Sequence, residues 1–180
     1  RIEALWRNVY GRGYTLRPDI SLMGVLSGIE MALWDICGKS VGKPIYELLV
    51  GRVHEKLRTY TYLYPKDHED QNKKNVYNDP ELAAEVALEY VEQGFTAIKF
   101  DPVGRYSAFD PRQISLESME ISELFCKRLR EAVGTKADIL FGTHGQFTAA
   151  AAIRLARRLE RYDLLWFEEP TPPEFLGEMA

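Results

Sequence analysis

From about residue 57 onward the sequence alternates between short β-type runs and helical patterns. No other feature limits the possible folds as strongly. "LRTYTYLYP", Leu57 to Pro65, is rich in aromatic and β-branched residues and reads as a strand. The polar stretch "KDHEDQNKKNVYN" reads as a loop. Asp79-Pro80 then opens a helix as N-cap and first helical residue, "ELAAEVALEYVEQ" carries it, and Gly94 closes it. "FTAIKFD" is a second strand, and the loop "PVGRYSAFDPRQ" leads to a helix around "LESMEISELFCKRLREAV". "ADILFG", "TAAAAIRLARRLERY" and "LLWFEE" supply a third strand, a third helix and a fourth strand. Strands separated by helices imply a parallel sheet of right-handed βαβ units. A doubly wound sheet and a (β/α)8 barrel both fit this pattern. No glycine-rich phosphate loop follows the first strand, which favours the barrel. Four strands would make half of one.

Side chains alternate along a strand, so spacing assigns faces. Lys99 and Asp101 share one face, and Ile98 and Phe100 take the other. Leu140, Gly142 and, if the chain stays extended, His144 share a face opposite Ile139 and Phe141. Trp166 and Glu168 share a face on the fourth strand. A single assignment therefore turns Lys99, Asp101, Gly142, His144 and Glu168 toward one mouth at the carboxyl ends of the strands. Taken singly, a lysine at a strand end is a solvated rim residue, and a histidine between glycines is a turn residue. Adjacent parallel strands that deliver ionisable groups to one rim point to a site, and carboxylates there suit a hard divalent cation.

The first fifty residues read as helical. In "SLMGVLSGIEMALWDICGKSVGKP", Val25, Ile29, Leu33 and Ile36 fall on one face, with Ser21 as N-cap and Gly38 as stop. A short helix follows, opened near Pro44 and ended by Gly51. Cys37 and Cys126 both fall in amphipathic patterns and read as buried free thiols, which makes the cytoplasm the default compartment. The net charge of −4 offers no footprint for nucleic acid. No apolar stretch is expected to be long enough to span a bilayer, so no membrane partner is expected. The opening "RIEALWRNVY" reads as mid-helix and the closing "PEFLGEMA" as the start of another helix, as in a piece of a longer protein.

"GIEMALWDICGKSVGKPIYELLVG", "AIKFD" and "WFEEPTPPE", in this order through almost the whole chain, resemble the enolase superfamily, in its mandelate racemase-like branch. The resemblance implies an α/β fold: residues 1–55 as the helical part of an α+β capping domain, and residues 56–180 as the first half of a modified (β/α)8 barrel. It implies Mg2+ as cofactor and proton abstraction α to a carboxylate, the cation stabilising the enediolate. It places Lys99 against the substrate carboxylate. Asp101 stands where the racemases have a second lysine, so this strand offers no lysine base. Glu168, the first residue of Glu-Glu-Pro, matches the second metal ligand. The first metal-binding aspartate falls on Gly142, which has no side chain. His144 matches the histidine of the Asp-x-His-Gly pattern of galactonate dehydratase-like members, the acid that helps a hydroxyl leave.

Asp101 is one candidate for the missing carboxylate, and His144 as a ligand is the other. The third metal ligand and the later-strand catalytic residues of the family lie outside the 180 residues. Arg105 and Tyr106 are candidates to grip the substrate, the alternative being a solvated loop with an anchoring aromatic; His68 is expected to face solvent, with lining the pocket as the alternative, and His54 is expected to face solvent. The expected activity is that of a sugar-acid lyase (dehydratase) or cycloisomerase on a small acid sugar, in a homo-oligomer. The rival is a non-catalytic binding or assembly relative that lost its metal with the aspartate at position 142.

Overall fold

A computed structural model describes residues 1–12, 19–65, 74–104 and 113–179. The chain divides into two compact units, Arg1–Leu57 and Arg58–Ala180. The first unit is helical, with α1 at Ile2–Arg12, α2 at Ile20–Val41 and α3 at Ile45–Leu49. In the second unit, β1 (Thr61–Tyr62), β2 (Ala97–Phe100), β3 (Asp138–Gly142) and β4 (Trp166–Glu168) alternate with α4 (Pro80–Glu92), α5 (Leu116–Val133) and α6 (Ala149–Leu159). A short helix, α7 (Leu176–Met179), follows β4. The four strands form one sheet in sequence order, every pair parallel.

Helix starts in the second unit follow local chemistry. Asp79 accepts from the Glu81 and Leu82 amides at 3.0 and 3.5 Å, and Pro80 sits where no intrahelical N–H is needed. Ser115 caps α5 through the Ser118 amide, and Thr148 caps α6 through that of Ala151. Ile98, Phe100, Ile139 and Phe141 are buried in the core with Phe125, Leu129, Leu155 and Leu159 of the helices. Phe100 lies 5.4 Å from Phe141, and Phe141 lies 5.4 Å from Phe167, centroid to centroid and edge to face. Burying each such side chain stabilises the unit by roughly 1.5–3 kcal/mol.

The first strand is shorter than its β-rich sequence suggests. Only Thr61–Tyr62 form ladder pairs, with Ile98 and Lys99 of β2. The approach is held by a side chain instead: the Arg58 guanidinium donates to Thr96 O at 2.5 Å and to the Asp138 carboxylate at 2.6 Å. A strand needs a partner to be one, and β-propensity supplies none.

Several expectations for the first unit are corrected. Asp19, not Ser21, caps α2, accepting from the Leu22 amide at 3.0 Å. The helix runs through Gly38 to Val41 and ends at Gly42, which takes the left-handed φ of 64°. Gly38 is buried because a Cβ there would stand 2.5 Å from the Lys43 carbonyl oxygen; it marks a close approach of backbone, not a stop. Val25, Ile29 and Ile36 are exposed, as is Cys37; among the two thiols only Cys126 is buried. Burial pushes the Cys126 thiol up, which leaves it unreactive. With a mean hydropathy of 1.5 over its most apolar window, α2 is by length and composition long and apolar enough to cross a membrane. That corrects the expectation that no such stretch exists. Glu30 and Asp35 interrupt the apolar run in sequence, but the helix carries through both.

The Lys74 ammonium holds the Asp79 carboxyl below its ordinary value of 3.8; burial opposes this, and the two capped amides assist it. A carboxyl depressed on folding adds stability above its unfolded value, and that stability is lost as pH falls through the folded one. Asp79→Ala is expected to cost about 1 kcal/mol at neutral pH. Denaturant titrations of variant and wild type should converge as pH falls below 3.8. A pH-independent gap would exclude the charged cap as its source.

Candidate functional site

The sheet register builds the site as rows across the strands. Tyr62 pairs with Lys99, Lys99 with Leu140, and Leu140 with Trp166. One step toward the carboxyl ends on the same face, Gly142 pairs with Glu168, and Asp101 follows the Phe100–Phe141 pair on the other side. Two carboxylates therefore flank a position with no side chain. The residues between these rows, Phe100, Phe141 and Phe167, pack toward the helices.

The charged groups pair across these rows. The Lys99 ammonium donates to Glu168 Oε1 at 2.5 Å, and both side chains are largely buried, at 12% and 26% exposure. Burial works against the charged lysine. The hydrogen bond and charge of Glu168, with the charge of Asp101, outweigh it and raise the pKa. Beside Glu168, Lys99 is thus favoured in its charged form. His144 Nε2 lies 2.7 Å from Asp101 Oδ2, with the carboxylate mostly buried and the imidazole mostly exposed. Asp101 Oδ1 is buried, and the Tyr62 hydroxyl faces this carboxylate as a hydrogen-bond donor. Burial, then the Asp101 charge, raises the pKa of Tyr62, which keeps this phenol neutral beside the carboxylate.

Beyond β3 the chain does not stay extended. His144 takes a left-handed φ of 56° and Gly145 one of 66°; on the neighbouring strand end Glu169 takes 43°. For a residue with a Cβ, this conformation costs roughly 1–2 kcal/mol. The two bends are fastened together. Gly145 N donates to Glu169 O at 2.6 Å, and the buried Thr143 hydroxyl lies 2.7 and 2.8 Å from the Glu168 and Glu169 carbonyl oxygens. The bend carries the imidazole to Asp101, so His144 joins the site by a turn and not by strand alternation.

The structure brings Lys99, Asp101, His144 and Glu168 together. Arg105, Tyr106 and His68 lie outside the described residues. His54 is exposed in the first unit. Sequence reasoning missed Thr143 and Tyr62. Thr143 carried a signal, a small hydroxyl between Gly142 and His144, but its partners are carbonyls of another strand. Tyr62 stood in the predicted first strand without a known register.

Known proteins can now be set beside this geometry. Residues 81–180 match the enolase C-terminal domain-like family, and residues 1–50 match the mandelate racemase/muconate lactonizing enzyme N-terminal domain. The chain belongs to the mandelate racemase/muconate lactonizing branch of the enolase superfamily. A candidate mandelate racemase/muconate lactonizing enzyme from Labrenzia alexandrii is 64% identical in sequence with a TM-score of 0.90, over 100% of this chain and 45% of that one. A mandelate racemase/muconate lactonizing enzyme from Sulfitobacter sp. superposes with a TM-score of 0.92 at 49% identity, over 100% of this chain and 45% of that one. A D-xylonate dehydratase from Haloferax volcanii is 35% identical over 96% of this chain and 40% of its own length. A D-gluconate dehydratase from Thermoproteus tenax is 34% identical over 94% of this chain and 31% of its own. The chain thus spans less than half the length of these relatives.

Asp101 and Glu168 fit a hard cation in kind: both offer carboxylate oxygens, and Asp101 Oδ1 is buried beside the row that ends at Glu168. They do not complete a coordination shell, and no cluster of three ligating side chains occurs among the described residues.

Removing the Thr143 hydroxyl should loosen both bends at once. Thr143→Val is expected to cost about 1 kcal/mol, since the Glu168 and Glu169 carbonyls lose the one hydroxyl proton they share. In thermal melts that is a drop of a few degrees, while Thr143→Ser, which keeps the hydroxyl, loses less. No loss in Thr143→Val would show that the hydroxyl does not fasten the bends.

Proposed function

We propose that the full-length protein is a Mg2+-dependent sugar-acid lyase (dehydratase) or cycloisomerase acting α to a carboxylate. The observation that carries this reading is the row at the strand ends, where a fixed cation, two carboxylates and a histidine face one mouth. The sugar-acid dehydratases among the relatives support the substrate class. In this reading, residues 1–55 belong to the capping domain and residues 56–180 to the first half of a (β/α)8 barrel. The exposed apolar side of α2 is then a packing face of the cap, and not a membrane span. The protein is a cytoplasmic homo-oligomer with no nucleic-acid partner.

Glu168 and Asp101 would hold the cation, with ligands from later strands completing its shell. Bound there, Mg2+ supplies a Lewis acid for the second negative charge that develops on the substrate carboxylate once the α-proton is removed. Lys99, held protonated, turns from Glu168 to the substrate carboxylate and fixes its orientation. His144, steered by Asp101, donates a proton to the departing β-oxygen and so spares the product an alkoxide. Arg105 and Tyr106 would bind the hydroxyls of the acid. Asp101 in place of a second lysine argues against racemisation from this side.

Millimolar Mg2+ should raise the Tm of the full-length protein, a chelator should reverse the rise, and Glu168→Gln should abolish it. The absence of any shift in the wild type would favour a non-catalytic relative of the family. A second expectation concerns the acid. His144→Asn should stop loss of the β-substituent yet keep α-proton exchange with deuterated water, followed by NMR. Full turnover by this variant would remove His144 from the reaction.

A further inference from the structure

Glycine at position 142 is not there for its backbone. Gly142 is a strand residue and lies outside the left-handed region that favours glycine. What it provides is room. A Cβ built on Gly142 would overlap Asp101 Oδ1 and stand 2.9 Å from Asp101 Cγ and 3.0 Å from Lys99 Cε. The carboxylate of β2 therefore lies in the volume that a side chain on β3 would otherwise fill. Asp101 is also held in place: Oδ2 meets His144 Nε2 at 2.7 Å, the Tyr62 hydroxyl faces the carboxylate as a hydrogen-bond donor, and Oδ1 is enclosed. Oδ1 is directed into the row that ends at Glu168.

We propose that positions 101 and 142 form an either-or pair. The carboxylate that serves the middle of this row is supplied from β2 by Asp101, through the gap at Gly142, and its Oδ1 is the cation-facing atom. Either position can place a carboxylate in that volume, but both cannot hold a side chain there together. The inference rests on the metal reading above. It adds that Gly142 is a positioning residue of the metal site although it has no donor atom.

The test uses the full-length protein, with Mn2+ as the probe and thermal melts in chelator as a metal-free measure of packing. Gly142→Ala should lower the Tm in the wild-type background and much less in an Asp101→Gly background, because the overlap is with Asp101. Mn2+ affinity, read by electron paramagnetic resonance, should fall about tenfold or more in Asp101→Asn and also in Gly142→Ala, which deletes no ligand. The exchange Asp101→Gly/Gly142→Asp should restore affinity to within about threefold of wild type, since the carboxylate returns from the other strand. Should Gly142→Ala leave both melting and Mn2+ affinity unchanged, the pair is refuted. If wild type binds Mn2+ and Asp101→Asn binds it equally well, the metal reading survives and this inference does not. A wild type that binds no Mn2+ defeats both.

Discussion

The site depends on the register of three neighbouring parallel strands. Phe100, Phe141 and Phe167 stand in one row against the helices, and their edge-to-face packing holds β2, β3 and β4 in step. In a β-strand a slip of one residue exchanges the two faces. Such a slip on β2 alone would turn Phe100 into the polar mouth and bury Lys99 and Asp101 among aromatic rings. The aromatic row on one side is therefore what aligns Asp101, Gly142 and Glu168 on the other.

On that frame the charges are arranged in two pairs. The lysine ends its reach on Glu168 and the histidine on Asp101, where the Tyr62 hydroxyl joins it. Partly buried pairs of this kind contribute little net stability, because desolvation offsets attraction. They do fix direction. The backbone bends at His144 and Glu169 add to the same end, since residues held in costly conformations by hydrogen bonds from a neighbouring strand gather at sites that need preorganised groups.

Much of this was legible in the sequence. The strand–helix alternation, Asp79-Pro80 as a helix start and the sorting of Lys99, Asp101 and Glu168 from Ile98, Phe100 and Phe141 all followed from periods of two and 3.6. Information that lies between elements was not legible. The extent of β1 depends on what pairs with it. The true end of α2 is set by a left-handed Gly42, while the nearer glycine, Gly38, is a packing contact. His144 reaches its partner through a turn that alternation does not foresee. The alternative of a lost aspartate at Gly142 could not be weighed from the strand alone, because the atom filling the gap belongs to another strand.

That shared volume also bears on how such a site could have changed over time. A chain with aspartate at position 142 cannot acquire Asp101 in this pose without a collision, and one that loses its aspartate first is left with Glu168 as the one carboxylate of the row. The step between the two arrangements therefore leads either through an intermediate with an impaired site or through two changes made close together. Positions distant in sequence become linked through one shared space.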